Sequence, residues 1–130
     1  MQENVMIVDD NECVRATVDI ICQSVELNLV SAASGAECLA HLESGFRGVI
    51  LMDIMMPVMN GWETIRELVR RGLFPGNIII MLTGMEHPDA RMDGLQQYVT
   101  DYLTKPFGPD RIINALQYYL TLQKAVHAHQ

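Results

Sequence analysis

Val49-Ile50-Leu51-Met52-Asp53, continuing as Ile54-Met55-Met56-Pro57-Val58-Met59-Asn60-Gly61, is the stretch whose reading decides the fold. Four apolar residues, two of them β-branched, predict a buried strand. A single aspartate closes the run, and Pro57 and Gly61 then impose a loop before the next helical pattern. An acid at the carboxyl end of a buried strand stands where open parallel sheets place their chemistry. Read alone, it is equally well a solvated turn residue, so the rest of the chain has to arbitrate.

Upstream, Val5-Met6-Ile7-Val8 predicts a first strand over residues 4–8, ending in Asp9-Asp10-Asn11. Val14, Val18, Ile21, Cys22 and Val25 then recur at helical spacing. Residues 27–33 predict a second strand. Ser34 is the expected N-cap of a second helix, with Glu37 completing a capping box and Cys38, Leu39 and Leu42 facing inward before Gly45. Downstream, Asn60 is the expected cap of a third helix whose Ile65, Leu68 and Val69 face the core, with Gly72 and Pro75 as stops. Residues 77–83 hold the run Ile78-Ile79-Ile80-Met81-Leu82, apolar on both faces and therefore central in a helix-covered parallel sheet. A fourth helix is predicted over residues 86–97 from Ala90, Met92 and Leu95. A fifth strand is predicted over residues 99–103, and a last helix capped by Asp110 carries Ile112, Ile113, Leu116 and Leu120 inward. Five strands alternating with five helices predict a doubly wound α/β fold with strand order 2-1-3-4-5, one domain over residues 1–124 and a short tail at 125–130.

Composition narrows the function. The chain has 130 residues, 49% hydrophobic and 19% charged, which excludes a disordered chain. Its net charge of −7 without a basic run argues against direct nucleic-acid binding and against an anionic membrane surface. Cys13, Cys22 and Cys38 sit in helical patterns without a CxxC pair, so reduced, packed thiols are expected rather than zinc or redox chemistry. There is no signal-peptide pattern and no apolar run near the ~20 residues that span a bilayer. A soluble, cytoplasmic protein is expected.

In this sheet order the strand ends gather Asp9 and Asp10, Asp53, Thr83 and Lys105 on one edge. Three neighbouring carboxylates repel unless a cation intervenes. A hard oxygen-liganded cation, Mg²⁺ above all, meets that need. One carboxylate is then free to act as nucleophile, and a hydroxyl and an ammonium suit the charge of a transferred phosphoryl group.

Asp9-Asp10, Asp53 with Met56-Pro57 and Gly61, Thr83-Gly84 and Lys105-Pro106-Phe107 together resemble a response-regulator receiver domain of two-component signalling, over essentially the whole chain. The resemblance implies the flavodoxin-like receiver fold and a phosphorylation-activated switch rather than an enzyme acting on other molecules. Asp53 would accept a phosphoryl group from the phosphohistidine of a histidine kinase or phosphotransfer protein. Asp10 would bind Mg²⁺ directly, Asp9 mainly through water, and the Met55 carbonyl would be a further ligand. Lys105, in a cis peptide with Pro106, would pair with Asp53 and then with the phosphoryl group. Thr83 would bond that group, and Tyr102 would be the aromatic switch, passing the change to the surface of helix four, strand five and helix five. A downstream protein or output domain, and a phosphorylation-dependent homodimer, are the implied partners. Met55 and Met85 flank the path of the hydrolytic water in that family, and two apolar side chains there imply slow self-dephosphorylation.

Two other classes fit less well. A small aspartyl-phosphate phosphatase carries a second acid two residues after its nucleophile, where Met55 stands. A flavin module needs a phosphate loop rich in Ser, Thr and Gly, which Asp9-Asp10-Asn11-Glu12 is not. Trp62 is expected as half-buried packing, and His87, His127 and His129 as solvated.

Overall fold

The alternation of short apolar runs with amphipathic segments produces a single parallel sheet wrapped on both faces. A computed structural model describes residues 4–84 and 94–128. The strands are β1 (Asn4–Val8), β2 (Asn28–Ala32), β3 (Val49–Asp53), β4 (Ile78–Thr83) and β5 (Val99–Thr104), all parallel in the order β2-β1-β3-β4-β5. The helices are α1 (Glu12–Ser24), α2 (Gly35–Glu43), α3 (Gly61–Arg70) and α4 (Pro109–Ala128).

Side chains alternate across the sheet, and each face has its own core. Met6, Val8, Ile50, Met52, Ile79 and Met81 pack against α2 and α3 through Cys38, Leu39, Leu42, Ile65 and Leu68. Val5, Ile7, Val49, Leu51, Ile80 and Leu82 pack against α1 and α4 through Val18, Ile21, Ile112 and Leu116. β3 is buried along its whole length, which is why its sequence shows no polar alternation.

The described residues contain four α-helices rather than five. The helix expected over residues 86–97 falls mostly on residues 85–93, outside those described. Its expected end is a turn at Gly94, whose φ of 86° breaks helical geometry, followed by one turn of 3₁₀ helix at Gln96–Tyr98.

Three further expectations are corrected. Asp110 lies inside the first turn of α4, not at its cap, where its charge still favours the helix N-terminus. Ser34 accepts from the Glu37 amide, but the Glu37 carboxylate reaches the Ala33 amide instead of closing on Ser34. The complete capping box is Asn60 with Glu63, at the start of α3. Of the thiols, Cys22 and Cys38 are buried, and burial pushes them up to about 11 and about 12. Cys13 is exposed, because the second residue of α1 points away from the sheet.

Gly61 is needed because α3 starts against the end of β3. A Cβ there would lie 2.4 Å from the Asp53 carbonyl oxygen, and the Gly61 amide donates to the Ile54 carbonyl at 2.8 Å. Val58, in the loop between them, is fully exposed at a φ of 69°. A β-branched residue in this left-handed region costs roughly 1–2 kcal/mol, and no buried contact offsets it. Val58→Asn is therefore expected to raise stability by about 1 kcal/mol, because Asn tolerates the conformation. Urea midpoints measure this; a midpoint at or below that of the parent protein would contradict it.

Candidate functional site

Each strand end contributes one group, and the backbone fixes it. Asp9 follows β1, and its amide still donates to the Ala32 carbonyl on β2 at 3.1 Å. Its carboxylate is fully buried: Oδ1 accepts from the Asn11 amide at 2.9 Å and Oδ2 from Lys105 Nζ at 2.8 Å. Arg15 Nη1 donates to the Asp9 carbonyl at 2.8 Å. Asn11 in turn caps α1, its side chain accepting from the amides of Cys13 and Val14. Asp10 is exposed beside it.

Asp53 ends β3 in register with Leu82 of β4 and is 6% exposed. Its Oδ1 accepts from Lys105 Nζ at 3.3 Å. Lys105 is delivered by the end of β5, where its amide donates to the Thr83 carbonyl at 2.7 Å and its peptide bond to Pro106 is cis. The structure thus places Lys105 between two carboxylates, closer to Asp9 than to Asp53. One carboxylate oxygen from each of Asp9, Asp10 and Asp53 lies within 4.8 Å of the others.

Three clustered carboxylates, two of them bonded to one ammonium, leave a deficit of positive charge. Burial, and then the neighbouring Asp9 charge, push the Asp53 carboxyl up from 3.8 to about 6, against the opposing pull of Lys105 and a hydrogen bond from the Met55 backbone. Burial acts to lower Lys105, but its hydrogen bond to Asp9 and the charges of Asp53 and Asp9 outweigh that and raise it. The donor set fits a hard divalent cation: oxygen atoms only, clustered, with Asp10 facing solvent and reachable without unfolding.

The other expected residues sit at the rim. The Thr83 hydroxyl donates to the Gly84 carbonyl at 3.1 Å, so it is engaged with its own chain rather than with the acids. Alternation puts Thr83 on the same side of the sheet as Met81, which pairs with Tyr102. Tyr102 is 41% exposed, its ring 6.5 Å from that of Trp62 and tilted by 48°. Trp62 is 1% exposed, fully buried rather than half-buried. It is the second residue of α3, held under the sheet by the close approach at Gly61. Met55 is exposed; Met85 and His87 lie outside the described residues.

Sequence reasoning missed Asn11 and Arg15 as site residues. The signal for Asn11 was its place before a helix; that for Arg15 was a cation one turn into a helix that starts beside two acids. Next to Lys105, a groove of about 460 Å³ opens between α1 and the loop after β5, lined by Cys13, Val14, Thr17, Gly84, Pro106 and Phe107. Among the described residues, no helix is long and apolar enough to cross a membrane.

Residues 5–117 match the family profile described as the response regulator receiver domain. The receiver domain protein of Methanospirillum hungatei, described as CheY-like, is 43% identical, with a TM-score of 0.92 over 96% of this chain and 99% of that one. Chemotaxis protein CheY4 of Vibrio cholerae is 31% identical, with a TM-score of 0.82 over 92% of this chain and all of that one. The alkaline phosphatase synthesis transcriptional regulatory protein PhoP of Bacillus subtilis is 31% identical over 88% of this chain but only 47% of its own length. The chain spans about half the length of several of the transcriptional regulators it matches.

Proposed function

The chain belongs to the response-regulator receiver family of two-component signalling, and on that premise we propose that Asp53 is the phosphoacceptor of a phosphorylation-driven switch. The observation that carries this reading is the convergence of Asp9, Asp10 and Asp53 at one sheet edge, with the ammonium of Lys105 bonded to Asp9 and Asp53.

A carboxylate oxygen of Asp53 attacks the phosphorus of a phosphohistidine or of a small acyl phosphate. The bond from phosphorus to the donor nitrogen or oxygen breaks, and the leaving group departs with its electron pair. Asp10, Asp53 and the Met55 carbonyl, with Asp9 behind them, would hold Mg²⁺, which would supply the positive charge that lets two anions meet. Lys105 stabilises the phosphoryl oxygens. Thr83 exchanges its bond to the Gly84 carbonyl for one to the phosphoryl group. Tyr102 turns inward along Trp62, and the surface around β5 and the last helix reads out the shift. The chain catalyses only its own phosphorylation and dephosphorylation, and the exposed thioether of Met55 offers water no orienting atom, so the phosphoryl group is lost slowly. Working in the cytoplasm, the protein would have as partners a histidine kinase or phosphotransfer protein and a downstream protein or output domain, with phosphorylation-dependent dimerisation of this domain as a further step.

Intact mass after incubation with Mg²⁺ and a small acyl phosphate tests the reading. One phosphoryl group is expected on the parent protein, none on Asp53→Asn and none when Mg²⁺ is chelated. A folded protein that binds Mg²⁺ and gains no mass would overturn it.

A further inference from the structure

We propose that Arg15 is a positioning residue for the metal site, fixing the peptide between Asp9 and Asp10 so that the Asp10 carboxylate is aimed at its two partners. The inference rests on the reading of the acidic cluster as a Mg²⁺ site and adds a residue to it.

Arg15 stands in the second turn of α1 and reaches back to the end of β1, where Asp9 and Asp10 follow. If charge alone governed its place, the guanidinium would pair with one of these carboxylates. It forms no ion pair among the described residues; Nη1 donates instead to the backbone carbonyl of Asp9, at 2.8 Å, in a partly buried position. That carbonyl lies in one rigid plane with the amide of Asp10. Holding the oxygen therefore sets the direction in which the chain enters Asp10.

The neighbouring anchors hold the residues on either side of Asp10 but not the 9–10 peptide itself. The Asp9 amide is tied to Ala32, and its carboxylate is tied to Lys105 and to the Asn11 amide. Asn11 is tied to α1 by its capping side chain. Asp10 sits between these two anchored residues, exposed, with a carboxylate oxygen within 4.8 Å of those of Asp9 and Asp53. The Arg15 bond ties the 9–10 peptide to the body of α1 and limits how far Asp10 can swing away when no cation holds it. Partners that orient a metal ligand typically contribute 10–100-fold to affinity.

The test exploits a difference in sign. A guanidinium acting only through its charge repels a cation, so removing it would tighten Mg²⁺ binding. A guanidinium that positions Asp10 would, when removed, weaken binding. Calorimetric titration of the whole chain with MgCl₂ is compared between the parent protein and Arg15→Met, which keeps an apolar stem and loses the donors. An affinity about tenfold weaker is expected, with the urea midpoint in chelator nearly unchanged, a separation that a merely structural role would not give. Unchanged or tighter binding overturns the proposal. If Arg15→Met does not fold, Arg15→Gln, neutral and too short to span the same gap, is judged by the same signs. A parent protein that takes up no Mg²⁺ at millimolar concentration defeats the metal reading itself. Binding by the parent with undiminished binding by the variant defeats only the role of Arg15.

Discussion

Asp53→Asn is expected to abolish phosphoryl uptake and, at pH 7 without Mg²⁺, to make the protein more stable. Asp53 is almost fully buried, and burial with the charge of Asp9 raises its carboxyl to about 6 from 3.8. The sign follows from proton linkage: between those values the folded protein holds a proton that the unfolded chain has released. The stability contributed by protonated Asp53 is complete below about pH 4 and is lost as pH rises through about 6. Above that, the ionised carboxylate costs roughly 2–3 kcal/mol, at 1.36 kcal/mol per unit. Asn has the shape of the protonated acid and keeps an oxygen for Lys105, so it escapes the cost. Its advantage is expected near zero at pH 4 and about 2 kcal/mol at pH 7.5. Urea midpoints of both proteins at the two pH values, in chelator, measure it. A gain of equal size at both would mean that burial of the ionised form is not the cause.

Much of this molecule could be read from its sequence because its determinants are local. The apolar runs of β1, β3 and β4 and the stripes of α1 to α3 carry their own periods, and the acids stand at strand ends that the topology must bring together. What could not be read depends on where side chains go after the backbone is built. Lys105 was expected opposite Asp53, and the structure sets it closer to Asp9; nothing in Lys105-Pro106-Phe107 distinguishes the two. The capping role of Glu63 and the reach of Glu37 to Ala33 depend on rotamers, and α3 rather than α2 obtains the closed box. The left-handed backbone of Gly94 ends any helix before residues 95–97, yet an isolated Gly in a weak stripe is a poor stop signal on its own. Trp62 reads in the sequence as half-buried packing because its burial comes from the close approach of α3 at Gly61, a contact between segments separated by a loop.

Lys105→Met is expected to have the largest effect on stability, and in the opposite direction to Asp53→Asn. The ammonium serves two carboxylates, of which Asp9 is fully buried. Met keeps most of the apolar stem, so the change isolates the charge. Removing one partner of a buried ion pair leaves an uncompensated charge in a poorly solvating site, typically at about 3–5 kcal/mol. A loss of about 3 kcal/mol is expected at pH 7.5 in chelator, since Lys105 is itself partly exposed and water can enter in its place. Phosphoryl uptake is expected to fall as well, because the group proposed to meet the phosphoryl oxygens is gone. The two substitutions should couple. Without the ammonium, Asp53 and Asp9 repel with nothing between them, so Asp53→Asn gains more in the Lys105→Met background than alone. Residues in one ion-pair network show interaction energies of about 0.5–3 kcal/mol, and a double-mutant cycle of urea midpoints reads that value directly. Additive effects would mean that Lys105 holds Asp9 alone, and that its bond to Asp53, at 3.3 Å, contributes to chemistry rather than to folding.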